Sequence, residues 1–140
     1  MAQSDSRRLY MVLPYLYPDL VNEIQAGDYH LQNDADGSGT QLHWHKEGIA
    51  EPTAQQLADA KEAAINDYWW KILRMKRNKL LVNSDWSQGA DVPSATKNAY
   101  ATYRTDLRDL PTTVTKPDFA TLNNQSVGEW DIDALMPTKP

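Results

Sequence analysis

The amino-acid sequence predicts an α+β protein with a small N-terminal β-hairpin module, a long bridging helix, an αα-hairpin and an extended C-terminal tail. Three observations support this prediction. Two short segments of alternating apolar and polar residues flank a turn rich in Asp and Gly. A later stretch of about thirty residues lacks Pro and Gly and repeats apolar residues every three or four positions. The end of the chain is rich in Thr, Asn and Pro and has no regular period.

These patterns divide the 140-residue chain into a hairpin module (1–52), a helical hairpin (53–111) and an extended interaction tail (112–140). The formal charge of −5 argues against nucleic-acid binding, which requires a basic surface. No apolar run is long enough for a membrane span, and no signal peptide is predicted. The absence of cysteine excludes disulfides and Cys-based metal or redox sites.

The first elements are short. Residues 1–8 are polar, and we expect them to be mobile. The apolar run from Leu9 to Leu13 ends at Pro14, which favours a strand or an extended arm. Residues 18–25 are predicted to form a short helix, because a Pro suits the first turn and Gly27 suits the end.

Residues 28–33 and 40–45 are predicted to pair as a β-hairpin around the Asp- and Gly-rich turn. Alternation divides their side chains between a buried and an exposed face. The apolar face carries Tyr29, Leu31, Leu42 and Trp44, and the polar face carries His30, Gln32, Gln41, His43 and His45.

Three histidines are the candidate metal ligands. If residue 30 pairs with residue 43, then His30, His43 and His45 share one face with Cβ atoms about 5 to 7 Å apart. Closely spaced imidazoles can hold Zn, Ni or Fe. The alternative is a solvated polar face, and no carboxylate completes a ligand set in an obvious way. We therefore assign no metal and no cofactor, and we keep the three histidines as candidates.

The long helix begins with a capping-box pattern formed by Thr53 and Gln56. Its acidic residues come early and its basic residues (the run 71–79) come late, an order that the helix dipole favours. Because it is long for a globular helix, it is predicted to bridge two small modules. Two apolar stripes follow its length: Leu57, Ala60, Ala64, Tyr68, Ile72 and Met75 in one, and Ile65, Trp69, Leu73 and Leu80 in the other.

A second helix is predicted from Ser94 to Asp109, ended by Pro111. The loop 83–93 joins the two helices into an αα-hairpin, and its Trp86 is predicted to plug the open end of the pair. Ion pairs between Asp85 or Asp109 and Arg104 or Arg108 would pin this joint. The apolar stripe of the second helix is Ala99, Tyr103, Leu107 and Leu110, with Tyr100 beside it.

The segment 112–140 has too few apolar residues to fold alone, and such a segment suits draping along a partner protein. Aromatic residues that are partly polar also suit interfaces. The predicted partner-binding residues are Trp69, Trp86, Tyr103, Phe119, Leu122, Trp130, Ile132 and Met136. No Ser-His-Asp set, phosphate-binding Gly loop or HExxH motif is present, so no catalytic residue and no enzymatic activity are assigned.

Residues 77–111 resemble the phage tail assembly chaperone family. The chain carries Ser84-Asp85-Trp86 followed by Gln88, where the family has S-D-W-T-Q, and it carries Y-R-x-x-L-R-D-L-P at 103–111. Asn78 replaces the usual Asp, and the ending at 136–140 lacks the usual Trp-Pro. A looser resemblance to XkdW-type phage tail-operon proteins covers the Y-P-D sequence at 17–19 and the hairpin.

These resemblances imply a non-enzymatic bacteriophage tail protein. Its expected place is the virion, as a structural or adaptor component of the baseplate or tail-fibre attachment region, after assembly in the host cytoplasm. The alternative is a transient tail or tail-fibre assembly chaperone that the virion does not retain, and a second alternative is a His-rich metal-binding module. Expected partners are other tail, baseplate or fibre proteins and further copies of this chain, with no nucleic acid and no membrane.

Overall fold

The computed structural model describes residues 7–140, so the prediction for residues 1–6 lies outside the described part of the chain. The chain divides into two compact units, with the boundary between Tyr68 and Trp69. The elements in chain order are α1 (Leu9–Leu16), β1 (Tyr29–Gln32), β2 (Gln41–Trp44), α2 (Ala54–Asn83), α3 (Ser94–Thr113) and α4 (Phe119–Asn123). Short 3-10 turns are found at Asp85–Gln88, Val127–Trp130 and Ile132–Leu135. This architecture confirms the α+β class, the hairpin, the long helix and the two-helix joint.

The strand or extended arm predicted for Leu9 to Leu13 is wrong, because this run forms α1. The helix continues through Pro14 to Leu16 and buries Leu9, Met11, Val12 and Leu13. Pro14 removes one intrahelical hydrogen bond. Burial of four large apolar side chains outweighs that loss.

The helix predicted for residues 18–25 is also wrong. This segment instead pairs with the start of the hairpin, since the Val21 carbonyl accepts from the Asp28 N–H (2.8 Å) and the Glu23 N–H donates to Tyr29 O (2.9 Å). Forming the first turn of a helix is unfavourable, and a segment of eight residues adds few hydrogen bonds to offset that cost. Hydrogen bonds to the start of the hairpin therefore determine the conformation of this segment. Gly27 allows the close return of the chain, because a Cβ there would lie 2.4 Å from the Glu23 backbone.

The β-hairpin is confirmed, including the pairing of His30 with His43 in the antiparallel register. The predicted apolar face packs on the core of the N-terminal unit, where the rings of Tyr29 and Trp44 stack with centroids 6.0 Å apart. This core also contains Leu9, Val12, Leu13, Leu57 and Ala64.

Helix α2 begins with the predicted capping box. The Gln56 N–H donates to Thr53 Oγ1 (3.1 Å), and the Thr53 N–H donates to Gln56 Oε1 (2.9 Å). The predicted stripes are buried at Leu57, Ala64, Ile65, Trp69 and Leu73. Met75 is an exception, because its side chain is 63% exposed.

Helix α3 was predicted to end before Pro111, but it continues through this residue to Thr113. The Val114 N–H still donates to the Leu110 carbonyl at 3.1 Å, so Pro111 removes only its own intrahelical bond. Tyr100, Tyr103 and Leu107 form a core cluster on this helix. Leu80, Leu81 and Met136 pack against the cluster.

The segment after α3 is less extended than predicted. Residues 136–140 form a tail without regular structure, whereas α4 and two 3-10 turns precede it. Leu122, Trp130 and Ile132 are buried, and Trp130 Nε1 donates to the Leu122 carbonyl at 3.1 Å. Each short turn buries one apolar anchor, which explains why the spacing of these anchors matches neither a helix nor a strand.

Candidate functional site

The joint between α2 and α3 is organised by the buried side chain of Arg104. Its Nη1 donates to the Leu81 carbonyl (2.5 Å) and to Ser84 Oγ (2.8 Å). Its Nη2 forms an ion pair with Asp85 Oδ1 at 2.7 Å, as the sequence predicted for this pair. One guanidinium on α3 therefore binds three groups near the end of α2, on Leu81, Ser84 and Asp85.

Other polar side chains complete the turn. Ser84 Oγ donates to the Leu80 carbonyl (2.8 Å), which fixes its orientation toward Arg104. Ser87 is fully buried, and its Oγ donates to the Ser84 carbonyl (2.6 Å). Gln88 Nε2 donates to Ser87 Oγ at 3.0 Å. The polar residues at 84, 85, 87 and 88 thus hold the chain in the sharp turn between the two helices.

Two tyrosines border this network. Burial raises the pKa of the Tyr103 hydroxyl, and the neighbouring Tyr100 raises that pKa further. The two rings meet edge to face, with centroids 6.0 Å apart. A tyrosine hydroxyl is already uncharged at neutral pH, and both effects move the pKa of Tyr103 further from that range. The charge at this joint is carried by the Arg104–Asp85 pair.

Trp86 does not plug the helix pair, which corrects the sequence prediction. Its side chain is 57% exposed, and its ring meets only the edge of Tyr100, with centroids 5.0 Å apart. The interior is already filled by Tyr100, Tyr103, Leu107 and the Arg104 network. The indole is therefore displayed on the surface of the joint.

Two apolar side chains of α2 are also exposed. Met75 is 63% exposed and Val82 is 67% exposed. They are seven residues apart, which places them on the same face of the helix two turns from each other.

Most of the predicted partner-binding residues are in the core of the C-terminal unit. Trp69, Tyr103, Leu122, Trp130 and Ile132 are each at most 6% exposed. Phe119 and Met136 are half-buried, and Met136 packs on the tyrosine cluster. Trp86 alone among the eight is largely exposed, so we retain it as the candidate contact.

The structure adds residues that sequence reasoning missed. The burial of Arg104 was not predicted, although its position between Tyr103 and Leu107 on the buried face of α3 was a signal. Val82 was assigned to no stripe, and Met75 was placed on a buried one. Their exposure follows from the packing of α2, which buries Ile65, Trp69 and Leu73 on its other side.

The three histidines share one face of the hairpin, as predicted. His30 Nδ1 and His45 Nε2 are hydrogen-bonded at 2.7 Å, and the rings of His30 and His43 stack with centroids 4.5 Å apart. Stacked rings that bond to each other do not direct their nitrogens at a common point. Within residues 7–140, no group of three or more His, Cys, Asp or Glu is arranged to hold a metal ion.

No helix in residues 7–140 combines the length and apolar character that crossing a membrane requires. Comparison of the chain with curated proteins and with solved structures found no match. Residues 70–127 match the family model described as phage tail assembly chaperone protein. The match covers the second half of α2, the joint, α3 and α4. The resemblance of the N-terminal part to XkdW-type proteins lies outside these residues and stays a prediction. Over residues 70–127, the chain is therefore similar to the phage tail assembly chaperone family.

Proposed function

We propose that this protein is a non-enzymatic tail assembly chaperone, which binds another phage tail protein in the host cytoplasm while the tail is built. The family match over residues 70–127 carries the proposal. The exposed Trp86 supports it, because a large aromatic side chain that the fold does not bury suits an interface.

The geometry of the joint separates two roles within one short motif. Ser84, Asp85 and Gln88 hydrogen-bond inside the protein and hold the turn. Trp86 lies among them but points largely to solvent. A rigid turn that presents one indole reduces the ordering cost of binding, because the aromatic anchor is held in place beforehand.

A second candidate is a structural or adaptor component that stays in the virion, at the baseplate or the tail-fibre attachment region. Exposed apolar side chains on the N-terminal unit favour it, since Ile24 is 71% exposed and Val21 is 50% exposed. A permanent component needs more than one contact surface to connect its neighbours. The sequence favoured this candidate because the segment 112–140 was expected to lie along a partner protein. The burial of Leu122, Trp130 and Ile132 weakens that argument, because these side chains are not available to a partner.

Quantitative mass spectrometry of purified virions and of infected-cell lysate distinguishes the two candidates. A chaperone is expected in the lysate, bound to a tail protein, and absent from virions. A fixed number of copies per particle would instead establish the adaptor. A major capsid protein measured in the same samples serves as the reference for particle number.

A further inference from the structure

The outer edge of β2 carries backbone groups that the hairpin does not pair. In an antiparallel ladder, opposite residues alternate between pairs that exchange two hydrogen bonds and pairs that exchange none. The His45 N–H donates to the Asp28 carbonyl at 2.9 Å, which makes His43 the next residue of β2 to exchange hydrogen bonds with β1. Leu42 and Trp44 therefore direct their N–H and C=O groups away from β1.

The outer edge of β1 is occupied at the corresponding position. Tyr29 lies opposite Trp44 in the ladder. Its N–H donates to the Val21 carbonyl (3.3 Å), and its carbonyl accepts from the Glu23 N–H (2.9 Å). Within residues 7–140, no segment takes this role for β2, because no hydrogen bond joins the outward backbone groups of Leu42 or Trp44 to another residue. A strand edge with unpaired donors and acceptors is a template for one more strand.

The composition of β2 does not protect this edge. Proteins often prevent edge pairing with a Lys, a Pro or a bulge. The four residues Gln41–Trp44 include no Pro and no Asp, Glu, Lys or Arg, and their register with β1 is continuous. Gln41 and His43 are exposed, whereas Leu42 and Trp44 are half-buried. The edge is therefore open to a further strand and carries no charge that would repel one.

The sequence of β2 is complementary to a second copy of itself. Two copies can pair antiparallel about a two-fold axis at His43, as in an isologous contact. Leu42 then lies opposite Trp44 of the second copy, and each such pair exchanges its outward N–H and C=O groups. Gln41 lies opposite His45 of the second copy on the other face of the sheet. Apolar side chains therefore meet apolar ones, and polar side chains meet polar ones.

We propose that the outer edge of β2 pairs with the same edge of a second copy of this chain, which extends the sheet across a two-fold axis. A second copy suits this edge because the register that satisfies the outward backbone groups also places Leu42 against Trp44. No like charges meet, since the nearest charged residue, Lys46, lies opposite Thr40 of the second copy. The strand is short, so we expect a weak contact, with a Kd between about 10 µM and about 1 mM.

Sedimentation equilibrium of the full chain, from about 5 µM to about 1 mM, measures this association. The weight-average mass is expected to rise from 15.9 kDa toward twice that value as the concentration increases. His43→Lys places two ammonium groups opposite each other at the two-fold axis, and we expect it to raise the Kd about fivefold or more. Gln32→Lys is the matched control, because Gln32 is exposed on the same face of the hairpin but lies on β1. We expect this control to change the Kd by less than about twofold.

A charge-swap experiment tests the edge even if a substitution disturbs the hairpin. His43→Glu alone should also weaken association, because two carboxylates then lie opposite each other. An equimolar mixture of His43→Lys and His43→Glu should associate more tightly than either variant alone, since unlike charges then meet at the axis. Misfolding of either variant would not be rescued by mixing, and circular dichroism spectra report whether each variant remains folded.

Amide hydrogen exchange followed by NMR locates the contact. The outward N–H groups of Leu42 and Trp44 should exchange more slowly as the concentration rises. The amides of Tyr29 and His43, which are already hydrogen-bonded within one copy, should show no such dependence.

Three outcomes would overturn the proposal. The first is a mass that stays at 15.9 kDa up to about 1 mM. The second is association that Gln32→Lys weakens as much as His43→Lys does, or that mixing the charge variants does not restore. The third is a dimer in which exchange at Leu42 and Trp44 does not depend on concentration. None of these outcomes bears on the chaperone role, because the hairpin lies outside the residues that match the family model.

Discussion

The hydrophobic cluster of the N-terminal unit consists of apolar and aromatic side chains, with Arg8 and His30 buried elsewhere in that unit, whereas the joint in the C-terminal unit is centred on the guanidinium of Arg104. The first kind of core is held by area removed from water, and many shapes satisfy it. The second is held by directional hydrogen bonds to Leu81, Ser84 and Asp85, and few side chains satisfy it. The hairpin unit should therefore tolerate substitutions of similar volume that the joint does not.

The largest expected effect is that of Arg104→Met. It removes the donor for three acceptors at the end of α2, and we expect a loss of about 3 to 5 kcal/mol in the free energy of unfolding. Chemical denaturation followed by circular dichroism measures this change. The exposed Arg108→Met is the control, with an expected change below about 0.5 kcal/mol. Equal effects of the two variants would show that the joint does not depend on the buried charge.

Trp130→Ala tests whether the segment after α3 belongs to the same core. The indole is buried and donates to the Leu122 carbonyl, so its removal should leave a cavity and cost about 3 kcal/mol. The same denaturation experiment applies, with the exposed Ala134→Gly as a control in the adjacent turn. An effect no larger than the control would mean that this segment is separable from the helices.

Leu13→Met examines the tolerance of the N-terminal unit. Leu13 is fully buried among apolar residues, and Met has a similar volume without branching, so we expect a loss below about 1.5 kcal/mol. Arg104→Lys is the matched conservative change in the joint. We expect it to cost more, because an ammonium cannot reproduce the forked geometry. The reverse order would contradict the distinction between the two cores.

The smallest expected effect is the pH dependence that Asp28 contributes to the N-terminal unit. The Val21 N–H donates to the carboxylate at 2.9 Å and lowers the pKa of Asp28, and Lys46 lowers it further. Because the folded pKa lies below the unfolded one, this contribution is present at neutral pH and is lost as pH falls through the lowered pKa.

The variant Asp28→Asn should therefore have a lower melting temperature than the wild type at neutral pH. This difference in melting temperature should shrink as the pH falls below 3.8, the ordinary pKa of an Asp carboxyl. Thermal denaturation at a series of pH values measures both proteins. The exposed Glu47→Gln provides the control. A difference that does not depend on pH would show that the charge of Asp28 has no part in stability.

Elements with strong local signals could be predicted from the sequence. The hairpin register followed from alternation around the Gly-rich turn, and the start of α2 followed from the capping box. The segments 9–13 and 18–25 could not be predicted, because each is short and its conformation depends on partners distant in the chain. Pro14 was read as the end of an extended run and Pro111 as the end of a helix, but packing outweighs the single hydrogen bond that each removes.

The candidate site was predicted only in part. The motif around Trp86 and the Asp85–Arg104 pair were identified from the sequence. The exposure of the Trp86 indole could not be identified from the sequence. It depends on whether other side chains, here Tyr100, Tyr103 and Arg104, occupy the interior of the joint instead. The same competition for interior space leaves Met75 exposed, although its spacing fits a buried stripe.

The single guanidinium in the joint also limits how the gene can change. A lone substitution at codon 104 removes the donor that Ser84 Oγ and the Asp85 carboxylate share, and a lone substitution at codon 85 leaves a buried cation without its counter-ion. Codons 85 and 104 are therefore expected to change together among descendants of this gene. Codon 86 lies between these constrained positions, and the fold places no such restriction on it.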